Sequence, residues 1–305
     1  QGMNILIIGS DSFIAQKFIS YSDSWNIKGI SRTTNHSSKE TIINDLFTIG
    51  ENHFVDTDIV INFAAIVHQP YVRDVRIYNE VNHRLAVLNA LKAKRSGVKL
   101  FIQMSTIGVY GDSTDISVES ACNPMNPYAT SKLNADQELL IMQDDHFKVT
   151  IIRPPMVYGG GNAPGNMMRL IRLAHKGIPL PFKSIDNKRD FIHVNNLVQY
   201  LHIICERKLE GIMLVSDHQP VSTEFLLNIV SNYTSKKIML IKVPYSLLRI
   251  LHRLRPNEYN KLFGSLNLHT NFPYEDQIKR HSVEEGIKEM MKWYIDSHKK
   301  HWYRS

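Results

Sequence analysis

A tyrosine and a lysine four residues apart are the residues of this sequence best suited to chemistry. Tyr128 and Lys132 lie in the segment NPYATSK, where Pro127 favours the start of a helix that carries both side chains on one face. Thr106 follows the apolar run LFIQM earlier in the chain. A phenol with a pKa of about 10 is a slow acid or base at neutral pH. We expect the neighbouring ammonium to lower that pKa, so that Tyr128 exchanges a proton with a substrate oxygen oriented by Thr106.

Short apolar runs predict the strands that position these residues. The runs occupy residues 4–8, 27–30, 58–63, 100–104 and 149–152. Their near-continuous apolar character is typical of parallel strands covered on both faces, and helical stretches such as 78–96 and 128–145 separate them. The alternation predicts an α/β fold with a Rossmann-type doubly wound parallel sheet.

The pattern changes after Pro155 to segments containing glycine, proline and methionine, mixed with helices. This change predicts a smaller C-terminal substrate-binding lobe over the carboxyl edge of the sheet. The run GIMLV predicts a strand that returns to the sheet. We therefore expect residues 1–155 and 189–215 to form the dinucleotide-binding domain, and residues 156–188 and 216–305 to form the lobe.

The turn after the first strand, GSDSFIA, is where such a fold places a phosphate-binding loop. Gly9 matches the first position of a GxxGxxG pattern, while Ser12 and Ala15 replace the later glycines with other small residues. We expect Gly9 and Ser12, with Phe13 and Ile14 at the helix start, to approach the pyrophosphate of a dinucleotide.

The second strand ends in Ser31 and Arg32, without an acidic residue. A carboxylate at this point would accept hydrogen bonds from the ribose of NAD and repel a 2′-phosphate, whereas an arginine can bind that phosphate with a planar fork. The pair favours NADP(H) and leaves NAD(H) open. The alternative is that Arg32 is a solvated loop residue.

Composition narrows the classes of partner. The 305 residues carry a formal net charge of +7 without a block of like charges, which favours an anionic small substrate over nucleic acid. The two cysteines and the histidine spacing predict neither a disulfide framework nor a metal site. No apolar run approaches the ~20 residues of a membrane span, so the cytoplasm is the expected location.

The segment from Val243 to Arg255 predicts a basic amphipathic helix. Leucine and isoleucine at helical spacing indicate that it packs on the core. A peripheral contact with a membrane surface is the alternative.

Together these segments resemble the extended short-chain dehydrogenase/reductase family, which includes nucleotide-sugar epimerases, dehydratases and 4-ketoreductases. The resemblance covers most of the chain and includes INFAA, STIGVYG, IIRPPMVYG and RDFIHVNNL. It implies that Tyr128 is the acid/base, that Lys132 is its partner and binds the nicotinamide ribose, and that Thr106 completes the triad.

The resemblance also implies further contacts. Arg189 would bind the diphosphate of the substrate and Asn166 would lie near the nucleotide sugar, unless Asn166 only caps the helix after Gly165. The remaining cofactor contacts implied are Asp45 and Leu46 near the adenine, Ala64 and Ala65 along the groove, Asn82, and Pro154.

The two residues after Thr106 distinguish between the reactions of this family. A 4,6-dehydratase of this family carries Asp-Glu there, whereas this chain has Ile107 and Gly108, so we reject that reaction. The segments 153–182 and 187–197 look like those of bacterial capsule and O-antigen reductases. They favour NAD(P)H-dependent reduction of a UDP-linked 2-acetamido-4-keto-2,6-dideoxyhexose. The alternative is an NAD-dependent 4-epimerase of UDP-glucose or UDP-N-acetylglucosamine, and a lesser one is a non-catalytic NADP-binding regulator.

The helices expected at 78–96 and 128–145 pair across a dimer in many relatives. By analogy we expect a homodimer.

Overall fold

Parallel strands form the centre of the fold. The computed structural model describes residues 2–33, 39–67, 74–234, 238–255, 259–260 and 263–302. The strands are β1 (Asn4–Ile8), β2 (Asn26–Ser31), β3 (Glu40–Ile42), β4 (Ile59–Asn62), β5 (Leu100–Met104), β6 (Asp115–Ile116), β7 (Lys148–Arg153), β8 (Val157–Tyr158), β9 (Ile192–His193), β10 (Gly211–Leu214) and β11 (Asn267–Leu268). Seven of them form one sheet in the order β3-β2-β1-β4-β5-β7-β10, with every neighbour parallel.

Helices cover both faces of this sheet and build the lobe. They are α1 (Phe13–Tyr21), α2 (Arg76–Tyr78, the π-helical turn Asn79–Arg84, and Leu85–Arg95), α3 (Pro127–Ile141), α4 (Asn166–His175), α5 (Val194–Arg207), α6 (Thr223–Thr234), α7 (Tyr245–Leu254) and α8 (Val283–Trp302). Among the described helices, none combines the length and the apolar character that a membrane span requires.

The strand order reverses between β1 and β4, which makes this the switch point where a doubly wound fold binds its ligand. The chain leaves β1 toward β2 and β3 and then returns to the other side of β1. The Gly9 amide donates to Ile30 O (2.8 Å), and the Ala64 amide donates to Ile8 O (3.1 Å). The first bond ties the loop after β1 to the end of β2, and the second ties the loop after β4 to the end of β1, all at the carboxyl edge of the sheet.

The apolar core follows this division. One cluster on each sheet face buries strand residues against helices, as Phe18 of α1 and Ala90 of α2 do. A third cluster joins α4, α6 and α8 through residues such as Met168, Leu227 and Met290. The Rossmann-type sheet with a smaller C-terminal lobe is therefore confirmed, while the exact domain boundaries stay a prediction.

The structure departs from the sequence-based expectations at three elements. The polar strand β3 was not expected, because only one of its residues, Glu40, is buried. Helix α3 ends at Ile141 instead of 145, because the Asp144 carboxylate accepts from the His146 and Phe147 amides in a turn. Helix α7 has no buried residue, so the expectation that its apolar residues pack on the core is wrong for most of them.

Candidate active site

Helix α3 brings the tyrosine and the lysine to one end of the sheet. Asn126 is the N-cap, and its side chain accepts from the Ala129 amide (2.9 Å) while Pro127 occupies the first turn. Capping fixes where the helix begins and therefore which face Tyr128 and Lys132 share. Farther along the same helix, Ala135 and Leu139 are buried against strand residues of the sheet, which holds this face in place.

Thr106 lies where β5 gives way to a 3₁₀ turn over Ile107–Tyr110. Its Oγ1 accepts from the Gly108 amide (3.1 Å). Because an N–H supplies that bond, the hydroxyl proton stays available to donate to a substrate oxygen. A side chain at Gly108 would begin 3.8 Å from Ala129 Cβ, so this turn packs next to the helix that carries Tyr128.

Lys132 is almost fully buried, and its Nζ donates to the Met104 carbonyl at the end of β5 (2.9 Å). Burial disfavours the cation and lowers its pKa from 10.5 to about 8, although the carboxylate of Asp136 opposes the change. The two remaining N–H groups can serve a ligand, which fits the expected contact with a ribose hydroxyl.

The phenol of Tyr128 differs from the sequence-based expectation. Burial raises its pKa to about 12, and the carboxylate of Asp136 adds to the rise. Lys132 does not lower it, because its ammonium is directed to a carbonyl and is itself disfavoured by burial. The expected pKa depression is therefore wrong for the chain alone, and Tyr128 is a neutral phenol at pH 7.

Replacing Lys132 with Met should change how stability depends on pH. The native state releases the Lys132 proton above about pH 8, whereas the unfolded chain keeps it to about 10.5. Because the unfolded state then binds more protons, wild-type stability should rise relative to Lys132→Met across this interval, by about 3 kcal/mol in total. Urea unfolding at a series of pH values measures the difference. A constant difference would contradict the burial of the cation.

A buried ion pair fixes the position of helix α3 relative to the strands. Asp136 Oδ2 accepts from Arg153 Nε (3.0 Å) and from the Ser105 hydroxyl (2.8 Å), while Arg153 also donates to the Tyr110 hydroxyl (2.8 Å). Asp136 is fully buried and Arg153 is 3% exposed. Burial raises the pKa of Asp136 to about 6 against the opposing effect of the guanidinium. This network joins α3 to the ends of β5 and β7, and sequence reasoning missed it.

The loops after β1, β2 and β4 enclose a groove at the switch point. The residues that line it are Gly9, Asp11, Ser12, Arg32, Asn44, Asp45, Leu46, Phe47, Phe63, Ala64, Ala65, Ile66, Val81 and Leu85. Of the residues expected to bind the cofactor, the groove thus brings together Gly9, Ser12, Arg32, Asp45, Leu46, Ala64 and Ala65. It fits a dinucleotide because small residues and a helix start meet there.

The other seven expected cofactor residues do not line this groove: Phe13, Ile14, Ser31, Asn82, Tyr128, Lys132 and Pro154. Ser31 is buried within β2, and Pro154 is buried, with its carbonyl accepting from the Ile107 amide (3.1 Å). Phe13 and Ile14 lie in the first turn of α1, where main-chain amides have no helical partner, so any contact with a phosphate would come from those amides.

Asn82 supports the groove from behind. Its Oδ1 accepts from the Ile66 amide (2.8 Å), and its Nδ2 donates to the Ile66 carbonyl (3.0 Å) and to the Ser131 hydroxyl (3.1 Å). These bonds use its amide group and leave it within the π-helical turn of α2. Asn82 thus joins the groove wall to the helix that carries Lys132, rather than facing the groove.

Charges in the part of the groove around Arg32 are mixed. Arg32 is exposed, but the carboxylates of Asp11 and Asp45 line the same groove. Asp11 accepts from the Thr33 hydroxyl (3.4 Å), and Asp45 accepts from the Phe47 amide (3.0 Å). Two carboxylates near one guanidinium weaken the attraction for a 2′-phosphate. Asp11 was missed at the sequence level, although it lies inside the GSDSFIA segment.

Gly9 allows the close approach of the two loops. Its φ is +80°, and a Cβ would lie 2.7 Å from the Ala64 amide nitrogen. Gly97 has nearly the same φ, +81°, but open space around a Cβ. We expect Gly97→Ala to lower the free energy of unfolding by about 1–2 kcal/mol, because alanine is strained at a positive φ even where its Cβ meets no other atom. Gly9→Ala should lower the free energy of unfolding by more than Gly97→Ala does, and it should also weaken NAD binding. Urea unfolding of both variants measures the first effect, and calorimetry with NAD measures the second. Equal losses in the two would contradict the close approach.

A second cleft lies between the Thr106 turn and the lobe. Its lining includes Arg189, Asp112 and Asn126, together with Asn260 and Leu266. Arg189 donates to the Asn260 and Gly264 carbonyls (2.8 and 2.7 Å), and burial lowers the pKa of its guanidinium. These carbonyls hold the cation at the cleft wall, where it can meet an anionic group.

Asn166 is the first residue of α4 and is exposed. The N-cap is Gly165, which provides no side-chain bond. The alternative expectation that Asn166 caps this helix is therefore wrong, and its contact with a nucleotide sugar stays a prediction.

His193, His281 and Glu289 bring possible metal-ligating atoms within 4.8 Å of one another. His193 Nδ1 accepts from the Asn195 amide (3.1 Å), which places the ring proton on Nε2, 3.1 Å from Glu289 Oε2. With its Nε2 donating to the carboxylate, His193 caps α5 and links it to α8. The cluster therefore acts as a structural contact.

The comparisons with known proteins agree with this geometry. The sequence profile of the NAD dependent epimerase/dehydratase family matches residues 5–215. A UDP-glucose 4-epimerase from Vibrio cholerae is 31% identical over 258 residues, which cover 79% of this chain and 78% of that protein. A dTDP-D-glucose 4,6-dehydratase from Mus musculus is 27% identical over 293 residues, 88% of this chain and 78% of that protein.

Among solved structures, UDP-glucuronic acid 4-epimerase from Bacillus cereus in complex with NAD shares the fold, with a TM-score of 0.76 at 16% identity over 96% of this chain and 99% of that one. With this fold, the family match and the 31% identical relative indicate an NAD-dependent nucleotide-sugar enzyme of the extended short-chain dehydrogenase type. The chain belongs to the NAD dependent epimerase/dehydratase family.

Proposed function

We propose that this chain is an NAD-dependent 4-epimerase of a UDP-linked sugar. The observation that carries the proposal is the 31% identity to a UDP-glucose 4-epimerase over 79% of the chain. Thr106, Tyr128 and Lys132 supply the hydroxyl, the phenol and the ammonium that reversible proton transfer at a sugar oxygen needs. Reduction of a 4-keto sugar uses the same three residues, but it has less support among the relatives.

The triad residues divide the work at the C4 oxygen. Thr106 donates its free hydroxyl proton to that oxygen and keeps it near the phenol. Tyr128 takes the C4 hydroxyl proton during oxidation and returns it during reduction. Lys132, whose Nζ donates to the Met104 carbonyl, would bind ribose hydroxyls of the cofactor with its remaining N–H groups. When bound, the cofactor supplies the acceptor and donor of the hydride and a positive nicotinamide ring, which favours the phenolate that burial disfavours.

The carboxylates of the groove support NAD over NADP. Asp45 and Asp11 oppose a 2′-phosphate, while Arg32 remains solvated beside them. This reverses the preference expected from Ser31 and Arg32. Gly9, Ser12 and the amides of Phe13 and Ile14 would hold the pyrophosphate, with Leu46, Ala64, Ala65 and Pro154 along the remaining path.

At the substrate end, Arg189 would bind the diphosphate and Asn166 would lie near the nucleotide sugar. A dehydratase reaction is not part of the proposal, because Ile107 and Gly108 begin the 3₁₀ turn and offer no titratable group. The cytoplasmic location and a homodimer through α2 and α3 remain predictions. Sedimentation analysis of the purified protein would test the homodimer.

Two incubations test the proposal. Purified protein given UDP-glucose or UDP-N-acetylglucosamine should produce the C4 epimer, measured by NMR, without net change in nicotinamide absorbance and with NAD released on denaturation. The matched incubation contains UDP-2-acetamido-4-keto-2,6-dideoxyglucose with NADH or NADPH. Stoichiometric oxidation there, without epimerisation in the first incubation, would overturn the epimerase and establish the reductase.

A further inference from the structure

Helix α7 presents an apolar stripe that no described residue covers. Leu247, Ile250 and Leu254 are 55%, 54% and 74% exposed. They are three and four residues apart, so they lie on one face of the helix. Their neighbours Leu248 and Leu251 point to the adjacent face and pack against the third core cluster. The lobe therefore holds one side of α7 and leaves a second apolar side in solvent.

The segment before helix α7 also exposes apolar side chains. Leu240 forms a bridge with Leu180 and packs on the cluster, whereas Met239 and Ile241 on either side of it are exposed. The alternation follows the period of an extended strand. Exposed apolar residues thus recur from 239 to 254, more than scattered surface leucines would explain.

Cations accompany the stripe. Arg249 and Arg253 lie one turn apart on the face beside it, and Lys242 and Arg255 flank the helix. The stretch 238–255 contains no aspartate or glutamate. Arg249 also lies over the exposed ring of Tyr245, 5.9 Å from its centroid. Apolar and cationic faces therefore adjoin on a helix whose third side is anchored to the protein.

We propose that α7 lies on an anionic membrane surface, with Leu247, Ile250 and Leu254 in the boundary between headgroups and acyl chains. A helix with a cationic flank and a leucine-rich face is suited to this position, where arginines meet lipid phosphates while the apolar side chains leave water. A symmetric contact between two copies of α7 would instead bring identical arginines together without an acid to pair them.

The test is co-sedimentation of the full chain with vesicles. Vesicles of phosphatidylcholine alone are compared with vesicles of about seven parts phosphatidylcholine to three parts phosphatidylglycerol, at low and high salt. The wild type should bind the anionic vesicles about tenfold more strongly at low salt and lose most of that preference at high salt.

Two triple variants separate the contributions of the two faces. Leu247→Gln/Ile250→Gln/Leu254→Gln removes the stripe, and Arg249→Gln/Arg253→Gln/Arg255→Gln removes the cations. Each should lower vesicle binding about tenfold or more. All six side chains are exposed, so thermal melting should show folded proteins.

Matched controls change the same chemistry elsewhere. Ile42→Gln/Val55→Gln/Ile141→Gln alters three exposed apolar residues, and Lys28→Gln/Lys208→Gln/Lys292→Gln removes three exposed cations. Both should bind vesicles like the wild type. Binding lost equally in the lysine control would reflect net charge alone and overturn the proposal. So would the absence of wild-type binding, or a dimer in solution that the apolar triple variant dissociates.

Discussion

Replacing Tyr128 with Phe should lower kcat by about 10²–10⁴-fold, because the variant has no proton to exchange with the substrate oxygen. The phenol has no hydrogen bond to another described residue in the structure, so its removal should leave folding and NAD affinity unchanged. Turnover measured by NMR, NAD binding by calorimetry and the melting temperature together distinguish catalysis from damage to the fold.

Tyr21→Phe is the matched control, because that ring is 51% exposed and lies at the end of α1, away from the cleft. It should retain full turnover. If Tyr128→Phe also turned over at the wild-type rate, the assignment of the acid/base would be wrong.

The second large effect concerns stability. Asp136→Asn keeps the size of the side chain but leaves the Arg153 guanidinium buried without a counter-charge. Breaking a buried pair in this way should lower the free energy of unfolding by about 3–5 kcal/mol. The Ser105 hydroxyl would also lose its charged acceptor. Urea unfolding at pH 7 measures the change.

Asp144→Asn is the control for this variant. Asp144 pairs with Lys94 at the surface, with side chains 45% and 34% exposed, and an asparagine keeps the oxygen that accepts from the His146 and Phe147 amides. Asp144→Asn should lower the free energy of unfolding by about 0–1 kcal/mol. Equal losses for the two variants would show that the buried pair contributes no more than a surface one.

The sequence was informative where side-chain type alone decides structure. The apolar runs of β1, β4, β5 and β7 predicted buried parallel strands, since only a sheet covered on both faces buries such runs. The spacing of Tyr128 and Lys132 predicted their shared helix face for the same local reason.

Features that depend on distant contacts were beyond sequence patterns. The pKa of Tyr128 rises because the fold buries the phenol and brings it near the Asp136 carboxylate. Lys132 is directed to the Met104 carbonyl by a contact across 28 positions of chain. The carboxylate of Asp11 reaches the groove only when the loops after β1 and β2 meet. The periodicity of α7 indicated an apolar face but not which side of it the lobe would cover.

The burial of Lys132 has a consequence for engineering. A cation held in the interior lowers stability at neutral pH, and a methionine of similar length would remove that cost together with the ammonium that we propose binds the cofactor. Selection of a variant library for heat resistance alone should therefore enrich inactive proteins substituted at this position. A screen for a more heat-resistant enzyme therefore has to select for turnover and thermal stability at the same time.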